Sequence, residues 1–326
     1  MTAIKKRLNY YRRIFGAYLT PATSQLTFWH EQPAISDFTP GELGPYYMTF
    51  AQKANYAGPH DANGVPMLDY LGAIGAQFNP IAIAQYGLGN FNLYLKSGDA
   101  SRRSKAVSTA DWLVANLEQN PVGFWVWNHH FDFEYRTPLR APWYSGLAQG
   151  QGISLLVRAH KETGDTRYLD AARRAFKCFQ ADVKDGGVIF TDRQGHRWIE
   201  EYIVDPPTHI LNGFMWASWG VYDLVLATGD AAVLKIWNDS IDTLKANLNS
   251  FDAGYWSLYE HSGTRLRMIA SPFYHRLHIV QLRVMAKLTG EPIFTEFANR
   301  WSLYQQSRMK RSRALVHKSV FKLCYY

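Results

Sequence analysis

Glu200, Glu201 and Tyr202 stand together near the end of an extended run, "VIFTDRQGHRWIEEYIV" (188–204). Pro206 and Pro207 break that run, Thr208 is positioned to cap the next element, and an apolar helix begins. That helix carries Asn212 and Trp216 one turn apart on one face. A second long loop supplies Tyr259, Tyr274, His275 and His278. Carboxyls and phenols at loop ends are tools for moving protons. A buried carboxyl with a raised pKa serves one side of a substrate, and a phenol serves the other. In a regular strand Glu200 and Tyr202 share a face and Glu201 lies opposite, so Glu200 is a rival to Glu201 for such a role. The same stretch also reads as an edge strand with solvated acids. Tyr274-His275-x-x-His278 puts Tyr274 and His278 on one helical face, but no third ligand stands nearby, so neither a metal nor a cofactor is expected.

Two further stretches open helices with small residues. "LRAPWYSGLAQGQGISLLVRA" (139–159) carries Ser145, Gly146, Ala148, Gly150 and Gly152, with Trp143 and Tyr144 at its mouth, and "QFNPIAIAQYGLGNFNLYL" (77–95) is built alike. Small side chains admit a ligand or a second helix at close range, and tight inner-helix packing accounts for most of them.

The elements that must position these groups announce themselves through a repeat. Ser97-Gly98-Asp99, Thr163-Gly164-Asp165, Thr228-Gly229-Asp230 and Thr289-Gly290-Glu291 each follow one apolar helical run and precede another. Glycine ends the first helix in a left-handed cap and the acid starts the next. The spacing predicts a mainly α fold: an (α/α) toroid of about four helix hairpins, closed into a ring, with small β-hairpin insertions at one mouth. A single catalytic domain over 1–326 is expected, with a Pro- and Gly-rich extended segment over 1–80 wrapping the mouth. The toroid spans 81–307 and a basic tail 308–326.

Composition narrows the partners. The chain of 326 residues has 47% hydrophobic and 15% aromatic content, and rings with a polar handle suit sugars and other amphipathic ligands. The net charge of +8 suits an acidic polymer or an acidic membrane face, and part of it sits in "IKKRLNYYRRIF" (4–15) and "RMKRSRALVHK" (308–318). No nucleic-acid-binding signature is present, so nucleic acid is not an expected partner. Cys178 and Cys324 are the only cysteines, with no disulfide framework, and Cys178 reads as a small core residue. No run of 18 apolar residues and no signal peptide is evident, so a cytoplasmic protein is expected. The basic start is compatible with peripheral contact at an acidic membrane.

Several blocks, taken in order, resemble the C-terminal catalytic region of the D-glucuronyl C5-epimerases. They are "NPIAIAQYGL", "PWYSGLAQGQGISLLVRA", "EEY…HILNGFMWASWGVYDL" and "YHRLHIVQL…GEPIFTEFANRW", covering about residues 64–305. The resemblance implies a ring of helix hairpins with the site across its mouth, and conversion of D-glucuronate to L-iduronate within a heparosan-like polysaccharide. It carries a glutamate and a tyrosine onto Glu201 and Tyr202, and a tyrosine followed by an acid onto Tyr259-Glu260. Further tyrosine and asparagine positions fall on Tyr274 and Asn212. Trp143, Tyr144, Trp216, His275, His278 and Tyr47 are expected to contact substrate, and the resemblance leaves room for a homodimer. The chain departs from the family's Tyr-Asp-Leu-Arg, with Tyr259-Glu260-His261-Ser262 in its place, and Ser271-Pro272-Phe273 precedes Tyr274. A polysaccharide lyase working through the same C5 carbanion is the alternative. A two-carboxylate inverting hydrolase and a non-catalytic carbohydrate-binding scaffold stand behind it.

Overall fold

Four Gly-Asp/Glu turns organise the chain. Gly98, Gly164, Gly229 and Gly290 all lie at φ between 65° and 74°, the left-handed region that glycine enters at no steric cost. Asp99, Asp165 and Asp230 then cap the following helices through their carboxylates, while Glu291 occupies the same position without a side-chain cap. The computed structural model describes residues 32–70, 74–133, 135, 137–261 and 263–325, so the basic stretch 4–15 and Ser262 lie outside the described residues.

The four hairpins pair α1 (Pro80–Ser97) with α2 (Ala100–Ala115), and α3 (Gly146–Thr163) with α4 (Thr166–Phe176). They continue with α5 (Leu211–Thr228) and α6 (Ala231–Asn247), then α7 (Pro272–Thr289) and α8 (Pro292–Gln306). The inner helices α1, α3, α5 and α7 follow one another in an arc, with α3 packed against both α1 and α5, and α5 against α7. At the α3–α5 crossing the backbones touch. A Cβ on Gly150 would lie 2.4 Å from Ala217 Cα, and one on Gly220 would lie 2.0 Å from the Gly150 carbonyl oxygen. The small residues of α3 therefore serve helix packing.

The fold is an open (α/α) toroid, where a closed ring was expected. Residues 38–53 bridge the side between α1 and α7. Asn92 of α1 accepts from Tyr46 N and donates to Met48 O, while Lys287 of α7 lies 5.5 Å from the Phe38 ring. Phe38, Tyr46, Tyr47 and Phe50 of this segment are buried.

Three two-stranded antiparallel hairpins sit at the periphery. They pair β1 (Leu68–Asp69) with β2 (Ala76–Gln77), β3 (Glu118–Gln119) with β4 (Trp125–Val126), and β5 (Ile189–Thr191) with β6 (Arg197–Ile199). Each lies shortly before an inner helix, so hairpins and long loops gather at the end of the toroid where the inner helices begin. Cys178 is fully buried in a short 3-10 turn after α4. Residues 308–325, read from sequence as a basic tail, form helix α9 (Arg308–Tyr325), which packs on α8 and buries Ala314, Lys318 and Phe321. A lysine in the middle of that inward face hides its amphipathic pattern. Among the described residues no helix is long and apolar enough to cross a membrane.

Candidate active site

Strand β6 ends at Ile199, one residue before the two glutamates. The chain is still held there: Glu200 N donates to Val188 O at 2.8 Å, and Gly146 N, the first residue of α3, donates to Glu200 O at 3.0 Å. A bend at Glu201 and Tyr202 then breaks the alternation that a regular strand would impose. Glu200 turns to His209, with Oε1 2.5 Å from Nδ1 and Oε2 accepting from the His209 backbone N–H at 3.1 Å. His209 has φ 49°, uncommon for a side chain with a Cβ, and the Glu200 carboxylate pins this turn just before α5.

Glu201 turns the other way, into the mouth of the toroid, and is only 5% exposed. Its Oε2 lies 3.5 Å from Asn212 Nδ2. The next residue is glycine, and a Cβ on Gly213 would stand 2.0 Å from Glu201 Oε2, so any side chain there would have to displace the carboxyl. Thr208 does not cap α5. The helix begins at Leu211 without a side-chain cap, and its first N–H is taken by the Tyr259 carbonyl at 3.1 Å. The second loop thus supplies the cap and is fixed against α5. Tyr259 N in turn donates to Met268 O at 2.8 Å. At the start of α7, Ser271 Oγ accepts from Tyr274 N at 3.3 Å, and the Tyr274 ring meets that of Tyr259 edge-on, 4.8 Å between centres. Gln281 of α7 donates to Asn212 O at 2.9 Å, which locks α7 to the start of α5.

Around Tyr202 the rings of Tyr135, Phe133 and Trp143 stand 4.8, 5.8 and 5.8 Å away. The Tyr135 hydroxyl makes a short hydrogen bond to Glu260 Oε2. Burial pushes the Glu201 carboxyl up to about 8; the Tyr202 phenol opposes this, while the charges of Glu260 and Glu200 add to it. The phenols of Tyr202, Tyr259 and Tyr274 are all raised, first by burial and next by the Glu201 charge. The cluster is one carboxyl that holds its proton near neutrality, facing three neutral phenols. Tyr202 and Tyr274 keep partial exposure, whereas Glu201 and Tyr259 are buried.

The structure thus brings Glu201, Tyr202, Tyr259, Tyr274 and Asn212 together, with Trp143 beside them. The other expected contacts are distributed differently. Trp143 stacks on His129 at 3.7 Å, donates to Phe131 O at 2.9 Å and meets the Tyr202 ring at a steep angle. Tyr144 donates to Gly186 O at 2.9 Å, on the β-hairpin side. Trp216 lies a turn deeper in α5, against Phe50 and Met48. Tyr47 is buried where its phenol donates to Asp223 Oδ1 at 2.6 Å, three turns along α5 from Asn212. His275 and His278 are buried and converge on Ser257 Oγ at 2.8 and 2.9 Å. Burial lowers both imidazoles, that of His275 to about 3, so both are neutral props of the loop that carries Tyr259. Among the described residues no three His, Cys, Asp or Glu side chains gather as a metal ion would require. Sequence reasoning missed Tyr135 and gave Gly213 no part. The aromatic alternation Phe131, Phe133, Tyr135 was a visible signal, but its partners lie far along the chain.

Comparison with known proteins accords with this geometry. An uncharacterized protein of Methanocaldococcus jannaschii is 30% identical over 60% of this chain and 63% of its own. A D-glucuronyl C5-epimerase of Caenorhabditis elegans is 32% identical over 60% of this chain and 34% of its own. The chain thus spans less than two thirds of the curated relatives it matches. Among solved structures, a family 76 glycoside hydrolase from a bovine Bacteroides thetaiotaomicron strain superposes with a TM-score of 0.52 at 14% identity, covering 74% of this chain and 50% of that one, a likeness of fold alone. The profile described as D-glucuronyl C5-epimerase C-terminus matches residues 119–303, more than half of the chain and the whole Glu201–Tyr274 cluster. The chain belongs to the D-glucuronyl C5-epimerase C-terminus family.

Proposed function

We propose that the protein inverts C5 of D-glucuronate residues to L-iduronate within a glucuronate-containing, heparosan-like polysaccharide. The observation that carries this reading is one buried carboxyl, Glu201, set against the phenols of Tyr202, Tyr259 and Tyr274 at the mouth of the toroid. The family match and the name of the Caenorhabditis elegans relative point the same way.

The C5 hydrogen of a uronate is adjacent to a carboxylate, so its removal creates an enolate of high negative charge. Inversion needs a base on one ring face, an acid on the other, and donors for the developing charge. In the proposed scheme the ionised form of Glu201, the minor form at neutral pH because burial pushes its carboxyl up to about 8, takes the C5 proton and the C5–H electron pair moves into the enolate. The Tyr274 phenol then delivers a proton to the opposite face as the pair returns to C5. Glu201 ends protonated and Tyr274 ends as phenolate, and exchange with solvent restores both. The phenols of Tyr202 and Tyr259 donate to the substrate carboxylate while its charge grows. Asn212 orients Glu201, and Trp143 presents an apolar edge to the sugar.

Incubating the protein with heparosan in deuterium oxide tests this. Deuterium at C5, with iduronate appearing and chain length unchanged, is the expected result. A new unsaturated chromophore identifies a lyase instead, and new reducing ends without it identify a hydrolase.

A further inference from the structure

Helix α9 lies beyond the family-matched residues, yet it is fastened to the loop that carries Tyr259 and Glu260. Lys318, 7% exposed, donates from Nζ to Ile269 O at 2.7 Å. Ile269 bridges Leu258, and the adjacent Met268 O accepts from Tyr259 N. His317 makes two more ties: Nε2 lies 2.8 Å from Arg267 O, and Nδ1 makes a short bond with the Tyr255 hydroxyl. Tyr325 accepts from Leu266 N at 3.3 Å. A single helix therefore grips the returning strand of this loop at three carbonyl or amide positions, directly behind Tyr259-Glu260.

Its buried charges have a counterpart. Burial drives Lys318 down to about 7 and Lys322 to about 8, and for both lysines the Glu260 carboxylate works in the opposite sense. Glu260 is 1% exposed and accepts the Tyr135 hydroxyl, whose ring packs on Tyr202.

We propose that α9 is part of the site, and that Lys318 is a positioning residue acting through the strand that holds Tyr259 and Glu260. By fastening Ile269 it holds the paired segment at Leu258, and with it Tyr259 and Glu260, on which the Tyr135 hydroxyl sits while its ring packs on Tyr202. The inference rests on the proposed epimerase reading for its kinetic effect, though not for its structural one.

The test compares Lys318→Met, Lys318→Arg, Glu260→Gln and the double variant Lys318→Met/Glu260→Gln in the full chain. C5 deuterium incorporation gives kcat and KM, and amide hydrogen exchange follows residues 257–261. Lys318→Met is expected to lower kcat about tenfold or more, with KM within about twofold, an effect of the order of one lost charge-assisted contact. Lys318→Arg should restore most of it, and the double variant should lose less than the product of the two single losses. Equal loss in the Met and Arg variants, or fully additive losses in the double variant, overturns the proposal. If Lys318→Met does not fold, Lys318→Arg and Glu260→Gln still decide: unchanged kcat in Glu260→Gln overturns it. If the wild-type protein exchanges no deuterium, the functional reading fails by itself. Faster amide exchange at 257–261 in Lys318→Met then still reports whether α9 holds the loop, and unchanged exchange overturns that part.

Discussion

Of the acids buried along α5 and its approach, Asp223 and Glu201 are treated in opposite ways. Asp223, deep in the toroid, receives Arg158 Nη1 at 2.6 Å on Oδ2, with Arg158 Nη2 at 3.0 Å and the Tyr47 phenol at 2.6 Å both on Oδ1. Arg158 is fully buried too, and the pair is closed off under Tyr46 and Tyr47. Glu201, at the mouth, is set among phenols and other acids, and burial pushes it up to about 8. The first arrangement fixes a charge and the second keeps a proton exchangeable. Burial alone therefore does not mark a working acid; its surroundings do.

The sharpest way to break this contrast is to neutralise each acid in turn. Glu201→Gln and Tyr274→Phe are each expected to lower epimerisation by about 10²–10⁴-fold while the fold is retained, measured as C5 deuterium incorporation beside circular dichroism. Near-normal turnover in Glu201→Gln with a dead Glu200→Gln would move the role to the neighbour that His209 now occupies. Asp223→Asn should do the reverse. It leaves the Arg158 charge without its carboxylate and is expected to cost about 3–5 kcal/mol of stability in denaturant unfolding, with kcat of the folded fraction intact.

A pH series sharpens the comparison further. The native state holds the Glu201 proton well above the ordinary value of 4.5, so this group favours folding fully below about 4.5 and loses that contribution as pH rises to about 8. Glu201→Gln should therefore become more stable relative to the wild type across that window, by up to a few kcal/mol at about 1.36 per pH unit. A stability difference that is flat from pH 4 to 9 would show that Glu201 is not held protonated. The smallest effect is expected from Gly213→Ala. A methyl 2.0 Å from Glu201 Oε2 must displace the carboxyl, and turnover should fall about 10²-fold with little loss of stability.

Legibility in the sequence tracks the range of the interactions. The Gly-Asp/Glu turns were legible because a left-handed glycine and a capping acid are decided within a few residues. The β5–β6 hairpin was legible for the same reason, with Gly195 at φ 87° in its turn. The choice between Glu200 and Glu201 was not, since it depends on a bend after Ile199 and on a histidine nine residues on. Tyr47, His275 and His278 suit ligand contact by residue type, yet the Tyr47 phenol is engaged by Asp223 and both Nδ1 atoms by Ser257. Tyr135 showed only as the end of an aromatic alternation and Lys318 not at all, because their partners are 125 and 49 residues away.

The four inner helices all begin at one end of the toroid and all finish at the Gly-Asp/Glu turns at the other. Their peptide dipoles therefore run side by side, and each contributes the equivalent of roughly half a positive charge at its starting end. The mouth gains a positive potential that belongs to the backbone. It falls off within the first turn, so Glu201, beside the second and third residues of α5, feels it most when ionised. For the uronate substrate proposed here, attraction to the mouth would survive removal of surface lysines and arginines, because no side-chain substitution can erase it.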